Sequence, residues 1–462
     1  MKRFMISLVM TSFGVALCAH GATHVVSPTG ALNSISGAVA IATPGDTILI
    51  KPGVYRDFVA VPPGLDDLRF VGSKGVVCEP RDANTGAPTG PFFKIAADRI
   101  TVKNLTVRHA AESMPATGNG IGIGMFGNDC VVEGVTFIDC RDTGLDASFD
   151  RPTIRKCVFR DCGIAVVVGN QGLLESCTFT RCVRGVDAGG NGIVVRKSKF
   201  TEISAAGPGV RIVGSTALVE TCALAQCEGG GISVDGSGTI RNNKLTSVLG
   251  APAIDLQGSG SFLVEKNSIT GAQTQAIQSV ANATTVRKNV VKGSALDAFC
   301  ISIGGPASIV ESNTVLDGGR FGLFCPGSST NAIVVKNVVR RAGYGAGVLL
   351  LGAGSTFNGN TVQDCGGDGL AVGADGAQIV GNSISGNTID GIDIDNASSV
   401  FVSGNKVTGN GAEGIEVGAA GTATVSGNVV LKNRIDLANA GAGTFNANTF
   451  GTGGSSALPQ ID

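Results

Sequence analysis

The sequence predicts an all-β fold: a single-stranded right-handed parallel β-helix of about 23 residues per coil, with three short strands per coil and a short N-terminal capping helix. Three observations carry this. An asparagine recurs at Asn243, Asn267, Asn289, Asn313, Asn337, Asn360, Asn382, Asn405, Asn428 and Asn448, in steps of 20 to 24 residues. Around it the pattern is fixed: an aliphatic or Phe three residues before (Ile240, Val264, Val286) and another two after (Leu245, Ile269, Val291). Between anchors lies small-aliphatic-x-aliphatic, as in Gly369-Leu370-Ala371-Val372, Gly391-Ile392-Asp393-Ile394 and Gly414-Ile415-Glu416-Val417. Its alternation has the period of a strand, and the repeat is too short for paired helices. Stacked coils place equivalent residues about 4.8 Å apart, so an Asn column can bond from one coil to the next.

The 462 residues, including 70 Gly, with 43% hydrophobic and 15% charged residues, suit tight bends around an aliphatic tube. Contacts in a solenoid run only between neighbouring repeats, so the length forms one domain, expected to be a monomer. Lys2, Arg3 and the apolar run 4–18 read as a signal peptide over 1–21, which makes the mature protein secreted, periplasmic or envelope-associated. That run is too short to span a membrane. With 35 Lys+Arg against 36 Asp+Glu, the chain carries no charge excess to favour nucleic acid.

The mature region is expected to run as a β-helix over 22–450, with its cap over about 31–57 and a non-repeating tail over 451–462. Residues 31–42 read as a short amphipathic helix, followed by Pro44-Gly45-Asp46-Thr47-Ile48-Leu49-Ile50-Lys51-Pro52-Gly53-Val54-Tyr55-Arg56-Asp57. This opening resembles the start of the pectate-lyase-like superfamily, which includes pectin methylesterases and family-six lyases. The resemblance implies that the helix caps the open end and that the Gly-Asp-Thr-Ile strand begins the first coil. It is specific for fold rather than for activity.

Carried towards the N-terminus, the anchor column continues through Cys222, Ser198, Cys177 and Cys157. Two residues past these anchors, Phe137, Phe159, Phe179 and Phe200 are expected to stack inside the tube. Two residues before the anchors, Lys103, Glu133, Arg155, Glu175, Arg196, Glu220, Arg241, Glu265, Arg287 and Glu311 alternate in sign, a pattern that favours in-register stacking. Thirteen cysteines fall mostly on two columns, and their parallel Cβ vectors suit buried thiols better than disulfides. Two Pro/Gly-rich excursions, 79–91 and 109–118, interrupt the early coils.

In enzymes of the resembled superfamily the substrate lies along the outward residues of the small-aliphatic-x-aliphatic strand. That column reads here Asp146, Ala165, Asp187, Arg211, Ser233, Asp255, Gln278, Phe324, Leu349, Ala371, Asp393, Glu416 and Asp436. Asp368, Asp390 and Glu413 form a parallel column. The C-terminal acids suggest a paired acid and nucleophile built from Asp390, Asp393 and Glu416, or a Ca²⁺ site on Asp393, Glu416 and Asp436, with a solvated acidic face as the bland alternative. Towards the N-terminus, Asp187 and Arg211 suggest a cation ligand and a base for β-elimination of an acidic sugar, with simple ion pairing as the alternative. Signatures of the resembled families are incomplete. Asn387-Thr388-Ile389-Asp390-Gly391 interrupts the polygalacturonase Asn-Thr-Asp with an Ile, Asp150 stands where a pectate-lyase Arg should precede Pro152, and no Asp-Pro-His-His occurs. His109 beside Glu112 is a further base candidate, and with no Trp and two Tyr the chain offers few flat platforms for neutral sugars. The expected partner is therefore a polysaccharide, acidic rather than neutral, bound and in the catalytic reading cleaved. A non-catalytic envelope scaffold is the reading from another class.

Overall fold

A computed structural model describes residues 21–80, 91–110 and 120–451. Among them are fifty-two strands and one helix, and every strand pairing is parallel. Each coil presents three faces. The first carries the small-aliphatic-x-aliphatic strands, such as Asp368–Val372 and Glu413–Val417; the second carries strands such as Thr153–Arg155; the third carries strands such as Val158–Arg160. The first two faces join in one 34-stranded sheet, partly because Val210–Glu220 and Ile232–Arg241 run through both without a break.

The bend between the second and third faces is built on the residue before each anchor. Lys156, Lys197, Lys266, Lys288 and Lys336 sit there at φ between 52 and 56°, in the left-handed region. A side chain there costs on the order of 1 kcal/mol per residue. Four late coils avoid that cost with Gly359, Gly381, Gly404 and Gly427, while Ala447 before Asn448 returns to it at φ 55°. What holds the bend is the anchor itself. Asn313 Nδ2 donates to Val286 O at 2.8 Å and to Asn337 Oδ1 at 3.0 Å, while its own Oδ1 accepts from the backbone N and Nδ2 of Asn289, both at 3.0 Å. The amide thus satisfies one backbone donor and one carbonyl per coil inside a dry tube, where leaving either unpaired would cost about 1–3 kcal/mol. Earlier anchors do the same with weaker groups: the thiols of Cys157, Cys177 and Cys222 point to the carbonyls of Val132, Ile154 and Val195, and Ser198 Oγ accepts from Cys177 N.

The other columns follow the sequence pattern. Phe137, Phe159, Phe179 and Phe200 stack nearly parallel at centroid spacings of 4.7, 4.9 and 4.4 Å. The sign-alternating column pairs in register from Lys103 to Glu311, and Arg241 meets Glu220, and Arg287 meets Glu265, at 2.8 Å. All twelve described cysteines are buried and unpaired. Burial pushes the Cys222, Cys227 and Cys325 thiols up to about 12.

At the N-terminal end the helix is shorter than the expected 31–42, spanning Ile35–Ile41, because Ser34 caps it by accepting from Gly37 N. Nor does the Gly-Asp-Thr-Ile strand open the sheet: Thr23–Val26 pairs with Thr47–Ile50 ahead of it. Asp46 fastens this extra strand, accepting from Ala22 N, Thr43 N and the His24 ring, and these bonds lower its carboxyl to about 2. Most of the leader, 1–20, with 81–90 and 111–119 of the two excursions and most of the tail, 452–462, lies outside the described residues.

Candidate functional site

Strand pairing on the first face defines two outward columns. One reads Phe299, Phe321, Ala346, Asp368, Asp390, Glu413 and Ile435; the other reads Ser302, Phe324, Leu349, Ala371, Asp393, Glu416 and Ala438. The expected outward column therefore needs two corrections. Val167, not Ala165, lies between Asp146 and Asp187. More consequentially, Ala438 and not Asp436 follows Glu416, because Ile435 pairs with Glu413 and Leu437 with Ile415.

Asp436 is turned into the tube, where it accepts from the N and Nδ2 of Asn433 and from Gly451 N. It ends a second asparagine ladder, Asn387, Asn410 and Asn433, in which each Nδ2 bonds the next residue's oxygen. These residues occupy the column that holds Cys140, Cys162, Cys182, Cys227 and Cys365 in earlier coils. The sequence carried the signal, an Asn five residues after each of the anchors Asn382, Asn405 and Asn428. With Asp436 committed to this capping role, the Ca²⁺ set Asp393, Glu416 and Asp436 is not assembled.

The structure instead brings Asp390, Glu413 and Glu416 together, with one carboxylate oxygen from each lying within 4.8 Å of the others. The rigid coils place them. Asp390 N donates to Asp368 Oδ1 at 3.1 Å, and Glu413 N donates to Asp390 Oδ1 at 2.6 Å, so each acid is tied to the next coil. Asp393 stands beside Glu416 on the neighbouring column, half-buried, and Asp390 is buried. Burial first, then hydrogen bonding to Glu413 and the charges of Asp368 and Glu413, pushes Asp390 up to about 8. Burial and the charges of Asp368, Glu416 and Asp395 push Asp393 up to about 7. Glu416 is raised by burial and the charge of Glu413, but a hydrogen bond from Asp390 favours its ionised form. A carboxylic acid that keeps its proton near neutral pH beside a carboxylate is the arrangement that general acid chemistry requires. The same three acids offer hard oxygen donors, fewer than the six to eight that Ca²⁺ takes, so waters or a ligand would complete the shell.

Asp187 and Arg211 are neighbours as expected, with Arg211 Nη1 2.8 Å from Asp187 Oδ1. Arg184 occupies the other oxygen at 3.3 Å, and the three form an ion-paired group. Nine coil steps separate Asp187 from Asp393 along one column, roughly 43 Å, so the two clusters are not one site. His109 Nδ1 lies 3.0 Å from Asp139, beyond the third face; Glu112 lies outside the described residues.

These features define a right-handed parallel β-helix with an acidic cluster on one face. The chain belongs to the family described as right handed beta helix region, whose model matches residues 93–247, 230–351 and 334–458. Among solved structures it is similar to a DFA-IIIase from Arthrobacter chlorophenolicus without its lid, in complex with GF2, at 12% identity and a TM-score of 0.45, covering 68% of this chain and 94% of that one. A GH136 lacto-N-biosidase from Eubacterium ramulus is similar at 13% identity and a TM-score of 0.43, covering 68% of this chain and 65% of that one. A pectin methylesterase mutant in complex with a hexasaccharide is similar at 14% identity and a TM-score of 0.27, covering 55% of this chain and 92% of that one. No curated protein matches the chain. Among the described residues no helix is long and apolar enough to cross a membrane.

Proposed function

We infer that the protein is an exported carbohydrate-active β-helix that binds a polysaccharide along its first face and hydrolyses it at the C-terminal acids. The observation that carries this reading is the convergence of Asp390, Glu413 and Glu416 within 4.8 Å on a rigid outward face. In this scheme Asp390 gives its proton to the glycosidic oxygen as the bond to the anomeric carbon breaks. Glu416, ionised, attacks that carbon to form a glycosyl-enzyme, which water then cleaves as Asp390, now ionised, takes the water's proton; Asp393 polarises the mouth of the site. Elimination by Asp187 and Arg211 is the weaker scheme, because a guanidinium held by a carboxylate at 2.8 Å does not give up its proton to serve as a base. Export rests on the basic and apolar leader over 1–21.

The finer reading is an acidic polysaccharide. Ionised acids repel a uronate chain, and Ca²⁺ held by Asp390, Glu413 and Glu416 would relieve that repulsion and bridge the two, but it would displace the Asp390 proton, so the Ca²⁺-bound form binds the chain and the metal-free form cleaves it. The test is to incubate the pure protein with polygalacturonate, alginate and neutral fructans, with Ca²⁺ or with chelator, reading new reducing ends and the absorbance of unsaturated products. New reducing ends without unsaturation, lost in Asp390→Asn, support hydrolysis. Unsaturated uronates would replace it with a lyase reading. Binding without any product would favour a scaffold, the reading supported by the uniform charge ladder and Phe stack of the other two faces.

A further inference from the structure

The same two outward columns that hold the acids carry aromatic rings a few coils earlier. Phe299 and Phe321 precede Ala346 and Asp368 on one column, and Phe324 precedes Leu349, Ala371 and Asp393 on the other. The Phe299 ring stacks on Phe324 at 4.8 Å and on Phe321 at 5.5 Å, at interplanar angles of 25° and 23°. Unlike the Phe137 to Phe200 stack, this one reaches the surface: Phe299 and Phe324 are half-buried, and Tyr344 beside them is 56% exposed. Arg320 lies over both the Phe321 ring at 5.2 Å and the Tyr344 ring at 5.8 Å, and Tyr344 hydroxyl donates to Asp297. Arg320 makes no salt bridge among the described residues.

A protein that sets aromatic rings outward on a rigid sheet, with a cation beside them that makes no salt bridge among the described residues, has built something other than core. The rings offer flat apolar faces and Arg320 offers donors to oxygen, which together match a sugar ring: apolar C–H bonds on its faces, hydroxyl or carboxylate oxygens on its edge. Between this group and the acids the columns carry the uncharged residues Ala346, Leu349 and Ala371. Phe324 and Asp393 are three coil rises apart, roughly 14 Å. We propose that Phe299, Phe324, Tyr344 and Arg320 form a distal sugar-binding subsite, which holds a polysaccharide chain along the helix axis while a bond several sugar units away lies over the acids. The proposal rests on the hydrolase reading for the position of the reacting bond. The aromatic group itself is an independent observation. It would add outward Phe rings to the few flat platforms that the Trp and Tyr count allows for neutral sugars.

The experiment measures binding of oligogalacturonides and fructo-oligosaccharides, each from disaccharide to hexasaccharide, to full-length Asp390→Asn protein and to the same protein carrying Phe324→Ala, Tyr344→Ala or Arg320→Gln. Tyr344→Ala removes an exposed ring and keeps the test valid should Phe324→Ala disturb packing, which melting temperature and circular dichroism would reveal. The proposal expects the hexasaccharide of one series to bind about tenfold more weakly in each aromatic variant, with disaccharide binding unchanged. Arg320→Gln should weaken the galacturonide series more than the fructan series. Equal losses at every length, or unchanged hexasaccharide binding in both aromatic variants, would overturn the subsite. Aromatic-dependent binding by a wild type that releases no product would leave the subsite standing and remove the hydrolase. Absence of binding to either series would remove both.

Discussion

Replacing Asn313 by Ala tests how the coils are held together. Asn313 makes four ladder bonds of 2.8 to 3.0 Å: two donated, to Val286 O and Asn337 Oδ1, and two accepted, from Asn289 N and Nδ2. Alanine removes all four, while Asn289 Nδ2 keeps its bond to Val264 O. The backbone N–H of Asn289 and the carbonyl of Val286 lose these partners in a site from which water is excluded. At about 1–3 kcal/mol for each of the two orphaned groups, the expected loss is about 2–6 kcal/mol. Serine supplies the control, since Ser198 already fills this column and its Oγ accepts from Cys177 N at 3.1 Å. Asn313→Ser should recover the acceptor and cost about 1–2 kcal/mol. Equilibrium guanidinium unfolding followed by circular dichroism reads both, with limited proteolysis to detect local opening of a quasi-one-dimensional array. An Asn313→Ala loss below about 1 kcal/mol, or one equal to that of serine, would refute the view that the ladder satisfies otherwise stranded backbone groups.

Glu220→Lys would place three cations in succession, Arg196, Lys at 220 and Arg241, and break the 2.8 Å contact with Arg241. A loss of about 1 kcal/mol that shrinks in high salt is expected, and a salt-independent change would assign the effect to packing. The twelve mature thiols should resist alkylation in the folded protein and react fully in denaturant; peptide mapping that finds several disulfides would contradict this. Because the folded-state pKa values of Asp390 and Asp393, about 8 and about 7, lie above those of an unfolded chain, the folded state binds more protons, and stability should fall as pH rises from about 4 to about 8. Asp390→Asn should flatten that slope, and a wild-type melting temperature level across this window would show the acids to be solvated. Millimolar Ca²⁺ should raise the melting temperature near pH 8 in the wild type but not in Asp390→Asn with Glu413→Gln; equal melting temperatures in Ca²⁺ and chelator would exclude the metal reading.

The coils were readable because a solenoid repeats the same contact problem: the Asn before each third-face strand and the alternating Lys/Arg and Glu mark the register locally. Register failed where the pattern was degenerate or the coil changed length. Ile164-Ala165-Val166-Val167-Val168 can be read in two frames, and only pairing of Val166 with Leu145 selects one. Ile435-Asp436-Leu437 looks like another outward acid, but its coil is short, with 20 residues between Asn428 and Asn448. The strand shifts by two, so that Asp436 closes the inner Asn ladder. For the site, the sequence gathered Asp390, Asp393 and Glu416 on one face but not the primary cluster, because whether Glu413 or Asp393 turns towards Asp390 depends on side-chain geometry within a column. The outward column already carries Phe324, but its grouping with Phe299, Tyr344 and Arg320 was not legible, because Phe299 lies on the parallel column and Tyr344 and Arg320 lie just outside the strands.

The central claim, that the C-terminal acids cleave a glycosidic bond, is tested most directly by comparing wild type and Asp390→Asn on whichever polysaccharide the wild type binds. Both binding and the rate of reducing-end release should be measured. The account predicts a rate lower by about 10²–10⁴-fold with binding held within a few-fold, and partial recovery on a substrate whose leaving group needs no proton. An Asp390→Asn protein that cleaves at the wild-type rate would contradict it.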